Sequence, residues 1–142
     1  VAQVGSLNYL IIYIISLYVG NYFTLKFHNK EPYYSAVGAS GAVTGIVYSS
    51  IILFPEMKLI MLFLPIPLPA YMFGICYLIY SIYGMNKNSG NIGHTAHFGG
   101  AIAGLLVTIL IKPQIVDENL WVIILMMFPL LFFIINSKKR IF

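Results

Sequence analysis

Charged positions along the chain are bunched, and between the bunches the sequence is almost continuously apolar. Eight basic and four acidic residues leave five uncharged runs, 1–25, 32–55, 59–86, 88–111 and 119–137. Each is long enough to cross a bilayer, which takes about 20 residues. Backbone groups in hydrocarbon must be satisfied inside the segment, so an isolated span has to be helical. The pattern predicts helices over about 7–24, 35–54, 69–83, 93–111 and 120–137. The second stops against Pro55, because the residue before a proline disfavours helix, and the fourth ends ahead of Pro113. Pro129 predicts a kink in the fifth. The third run is irregular: Pro65, Pro67 and Pro69 fall at every second position, and each lacks a backbone donor. Residues 57–68 are therefore expected to form an extended or interfacial entry, with the helix starting on Pro69 as its first-turn residue.

Composition supports the same class. The chain is 60% hydrophobic and 8% charged, where soluble domains carry about 25% charged residues. The expected fold is an all-α polytopic transmembrane helix bundle, occupying 1–142 as a single membrane domain. The net charge of +4 is spread over short connectors, where basic residues set orientation, so nucleic-acid partners are excluded and the lipid bilayer is the surrounding partner. Lys138, Lys139 and Arg140 read as interface anchors, and Trp121 with Tyr18, Tyr22, Tyr33, Tyr34, Tyr80 and Tyr83 as interfacial aromatics. The one cysteine, Cys76, lies in an apolar run and is expected to be a small buried hydrophobe. There is no basic leader of a cleavable signal, and the chain opens on Val1; upstream sequence is expected to be missing.

Five alternating crossings place the 25–35 connector, the 86–92 connector and the C-terminal tail on one face of the membrane. Reactive side chains inside spans are functional candidates because they are costly there. Ser40 lies near that face in the second helix, His94 and His97 near it in the fourth, and these two helices run in the same direction. Ser40 and His97 therefore fall at nearly equal depth. On the fourth helix Gly93, Gly100 and Gly104 lie within about 60° of His97, and Gly38, Gly41 and Gly45 give the second helix a similar small-residue strip. Close approach along such strips brings a hydroxyl and an imidazole to hydrogen-bonding distance, the arrangement that activates a serine nucleophile. Taken alone, the 38–45 strip reads as a helix-packing seam and His97 as an interfacial or core histidine; it is their coincidence on one face and at one depth that points to a site. No carboxylate is available for a triad, since Glu31, Glu56, Asp117 and Glu118 fall in connectors. A dyad is expected, with His97 oriented by packing or by hydroxyls such as Thr44, Thr95 or Tyr48, and His94 in a supporting role. A zinc site on His94 and His97 lacks enough ligands, so neither metal nor cofactor is expected.

Gly38-Ala39-Ser40-Gly41 ahead of a small-residue helix, and Ala96-His97-Phe98-Gly99-Gly100 with Gly104 one turn on, resemble the two signatures of rhomboid intramembrane serine proteases. Ile66-Pro67-Leu68-Pro69-Ala70 is similar to that family's entry to its fifth helix. The resemblance spans about residues 5–111, corresponding to the third to sixth helices of the core, with the last helix as an addition. It implies a serine endopeptidase acting through an acyl-enzyme, with Ser40 as nucleophile, His97 as general base and acid, and the Ser40 backbone N–H in the oxyanion hole. Transmembrane proteins are the implied substrates, and a bacterial inner or plasma membrane the implied location. The family's other oxyanion donors, a His and an Asn on its second helix, have no counterpart here, so this stretch alone is expected to be inactive. Two alternatives remain: a rhomboid-like pseudoprotease that binds membrane clients, and a non-enzymatic bundle such as a transporter subunit. The positive-inside rule puts the Ser40 face in the cytoplasm, whereas the resemblance implies the opposite orientation.

Overall fold

The computed structural model describes residues 4–36, 38–61, 64–87 and 93–136. They form helix α1 (Gly5–Phe27), helix α2 (Ser40–Leu53), a hairpin of β1 (Lys58–Met61) and β2 (Leu64–Pro69), and helices α3 (Ala70–Lys87), α4 (His94–Ile111) and α5 (Ile115–Asn136). Gly5–Phe27, His94–Ile111 and Ile115–Ile135 are long and apolar enough to cross a membrane, and α2 and α3 are shorter apolar helices. The molecule is an all-α multi-pass bundle carrying one small hairpin. The 88–92 connector and the three C-terminal basic residues lie outside the described residues.

The hairpin gives the extended entry a definite form. Its strands are antiparallel, with Lys58 opposite Pro69 and Leu59 opposite Leu68. Prolines at a period of two leave all three missing donors on one edge of β2, so the other edge keeps its N–H groups for β1.

Helix α1 turns a stripe of Ile12, Ser16, Gly20, Thr24 and Phe27 inward, spaced by about four residues, and exposes Leu7, Leu10, Ile14, Tyr18 and Leu25. Small residues let α1 lie almost backbone to backbone on α4: a Cβ on Gly20 would stand 2.7 Å from the Ala96 carbonyl oxygen, and one on Gly99 would stand 3.0 Å from the Val19 carbonyl oxygen. The Thr24 and Thr95 hydroxyls meet across this contact at 3.1 Å. The apolar core lies on the other side of α4, where Tyr48, Ile51, Ile52, Leu78, Phe98, Leu105, Met126 and Leu130 are buried together.

Two expectations change here. The break in α5 falls at Asn119, which has φ −131° and ψ 32°, and Pro129 sits inside continuous helix. The cause is a cap: Asn119 Nδ2 donates to the Ile52 carbonyl at 2.8 Å, satisfying one of the orphan acceptors at the C-terminal end of α2. Asp117 and Glu118 consequently belong to the first turn of α5 rather than to a connector. Cys76 is exposed, on the same outward stripe of α3 as Met72, Ile79, Tyr80 and Tyr83. In a bilayer the outer face is solvated by hydrocarbon, so an apolar neighbourhood in sequence does not imply burial.

Candidate active site

Helix α2 starts five residues later than the sequence pattern suggests. Gly38 has φ +144°, a conformation that side-chain-bearing residues rarely adopt and that no right-handed helix can continue. The chain turns there, Ala39 becomes the N-cap, and Ser40 is the first helical residue. Ala39 has no side-chain acceptor, and its carbonyl takes the Val43 N–H at 3.1 Å. The N–H groups of Ser40, Gly41 and Ala42 thus have no partner within the helix, at the positive end of its dipole.

His97 lies in the first turn of α4 and is 7% exposed. Its Nε2 is 2.8 Å from Ser40 Oγ. The glycine strips create this distance. A Cβ on Gly100 would collide with the Gly41 carbonyl, and one on Gly104 with the Gly45 carbonyl, so α2 and α4 touch through bare backbone. Gly45 is also crossed by the Ser16 side chain of α1, which makes this a three-helix junction.

The other nitrogen of His97, Nδ1, is 2.8 Å from Tyr77 Oη on α3. None of the hydroxyls expected to orient the ring does so. Thr95 pairs with Thr24, Tyr48 donates to the Gly74 carbonyl at 2.6 Å, and Thr44 donates to the Ser40 carbonyl at 2.8 Å. Thr44 nevertheless belongs to the site, lining a cavity together with Ser40, Tyr77 and His97. His94 is buried with its ring against Tyr80, centroids 5.1 Å apart, and edge-on to His97 at 6.4 Å. Gly84 makes the space for it, since any Cβ there would overlap the His94 ring.

Gly38 and Gly93 stand apart from the packing seam in which they were expected. Gly38 serves the turn, and Gly93 is the N-cap of α4, where a Cβ would meet the Ala96 and Ala36 methyls at an ordinary 3.7 and 3.9 Å. Tyr77, Gly20, Gly84 and Gly99 are the residues that sequence reasoning missed. A phenol about 11 Å of helical rise into α3, away from either interface, was a visible signal for Tyr77.

Beside the Ser40–His97 pair is a cavity of about 240 Å³ lined by Val43, Thr44, Val47, Phe73 and Tyr77 as well as the pair itself. It is open on the Ser40 side, where the serine is exposed. Glu31 is engaged elsewhere, 2.9 Å from His28 Nδ1. Among the described residues no three His, Cys, Asp or Glu side chains gather to hold a metal ion. A buried imidazole joined to a hydroxyl, with first-turn N–H groups that have no partner within the helix, can generate an alkoxide-like nucleophile and stabilise an oxyanion.

The family model described as Rhomboid domain matches residues 1–114. The chain is similar to "Rhomboid protein 1, mitochondrial" of Saccharomyces cerevisiae, at 27% identity over 107 residues. That match covers 73% of this chain and 31% of the yeast protein, so the chain spans about a third of the relative's length. No solved structure matches.

Proposed function

The chain belongs to the rhomboid family, and on that premise we propose that it is the catalytic part of an intramembrane serine endopeptidase working through Ser40 and His97. What supports this reading above all is the 2.8 Å contact between Ser40 Oγ and His97 Nε2 across a seam of glycine backbone.

With its neutral proton on Nδ1, His97 accepts the Ser40 proton at Nε2 as Oγ attacks the scissile carbonyl carbon. The carbonyl oxygen becomes an oxyanion facing the free N–H groups of the α2 first turn, Ser40 first among them. Each well-placed donor of this kind is worth about 100- to 1,000-fold in rate. Collapse of the tetrahedral species returns the proton from Nε2 to the leaving amine and leaves an ester on Ser40. Water then enters beside the exposed Ser40 and attacks the ester as the same imidazole takes its proton, which passes to Ser40 Oγ as the acid leaves. Substrates are transmembrane proteins with small or helix-destabilising residues at the cut, because a scissile carbonyl has to be freed from its helix before Oγ can reach it.

Labelling the natural full-length protein with a fluorophosphonate probe tests the proposal. Covalent label that is lost on Ser40→Ala is expected. A folded protein that takes no label at Ser40 would instead be a client-binding pseudoprotease or a non-enzymatic bundle. The sequence reading places the protein in a bacterial inner or plasma membrane, whereas the yeast relative's name places that protein in mitochondria; fractionation of the native cell decides.

A further inference from the structure

The dyad has a third member contributed by a different helix. We infer that Tyr77 of α3 is a positioning residue for His97, fixing the imidazole in the one tautomer and orientation in which Nε2 faces Ser40. This rests on the proposed chemistry at Ser40 but goes beyond it.

Nε2 has to be an acceptor to take the Ser40 proton, so in the neutral ring Nδ1 has to carry the hydrogen. Nδ1–H then donates to Tyr77 Oη at 2.8 Å. A phenol oxygen that accepts there has its own proton to place, beside a cavity that Thr44 also lines. Thr44 in turn commits its proton to the Ser40 carbonyl at 2.8 Å. With Tyr77 accepting, donors run one way from Ser40 Oγ to His97 Nε2 and from Nδ1–H to Tyr77 Oη. Reversing the tautomer would aim N–H at Ser40 and leave the Oγ proton with no base to take it.

The ring of Tyr77 is itself held, stacked at 18° on Phe73 with centroids 5.8 Å apart, so the hydroxyl does not have to be recruited. When His97 takes the proton, Tyr77 accepts a bond from a cation, which strengthens it. Since the acceptor is a neutral phenol instead of a carboxylate, the role is orientation with modest charge support. It also makes the base dependent on where α3 sits, because Tyr77 is not on either helix of the glycine seam.

The test is Tyr77→Phe in the natural full-length protein, which keeps the stacked ring and removes only the hydroxyl. The limiting rate of fluorophosphonate labelling at Ser40 is expected to fall about 10- to 100-fold, with the half-saturating probe concentration unchanged. Thr44→Val, which leaves Tyr77 in place, is expected to give a smaller loss of about 3-fold. Nitrogen NMR of ¹⁵N-histidine-labelled protein should show the Nδ1–H tautomer of His97 in the wild type and a mixture in Tyr77→Phe. Wild-type labelling rate together with an unchanged tautomer in Tyr77→Phe overturns the assignment. If the wild type takes no label, the protease reading falls, and the tautomer spectrum alone decides for or against Tyr77.

Discussion

Ser40 and His97 are held by one kind of packing and Tyr77 by another. On the α1–α2–α4 side, helices meet through glycine and carbonyl groups: Gly20 and Gly99 between α1 and α4, Gly41 and Gly45 against Gly100 and Gly104 between α2 and α4. On the α3 side, contact is made by large side chains such as Phe73, Tyr77, Ile51 and Met126, with Tyr48 reaching across to the Gly74 carbonyl. Backbone surfaces have no rotamers and cannot yield, whereas side-chain ends adjust by small torsions. Ser40 and His97 therefore share a rigid mount, and Tyr77 rides on a more forgiving one.

The sharpest way to break this contrast is to add one methyl group to each side. Gly100→Ala drives a Cβ into the Gly41 carbonyl. It should override the roughly 1 kcal/mol that alanine gains over glycine in a helix and destabilise by about 1–3 kcal/mol, read as a lower thermal midpoint in detergent. The forced separation of α2 from α4 should also cut Ser40 labelling. Gly74→Ala meets only the tips of Ile51, at 2.8 Å, and Met126, at 3.1 Å from its sulfur. Those tips can move, so the midpoint should change by the equivalent of less than about 1 kcal/mol. Equal losses from the two variants would erase the distinction. Smallest of all should be Cys76→Ser on the outward stripe, within about 0.5 kcal/mol of the wild type in the same melt.

The helices on the rigid side were the ones most legible in the sequence. Small residues repeated at helical spacing beside Ser40 and His97 predict both the contact and its depth, since only backbone geometry is involved. Tyr77 was harder to read because its partner depends on how side chains of α3 pack, and ten other tyrosines in an apolar chain suggest an interfacial belt. The start of α2 was hidden for a related reason. The small residues from 35 to 39 look helical by apolarity, and only the positive φ of Gly38 reveals the turn. Asn119 gave no local sign of its cap, because the carbonyl it serves is 67 residues away.

The brevity of α2 bears on how water reaches a site surrounded by lipid. Fourteen residues make a rod of about 21 Å, some 9 Å less than a hydrocarbon layer of about 30 Å. A rod that short, with most of its residues buried among neighbouring helices, cannot reach both edges of the layer, so one end lies below the headgroups. The proposed hydrolysis at Ser40, the first residue of that rod, draws on water below the headgroup level when that end is the recessed one.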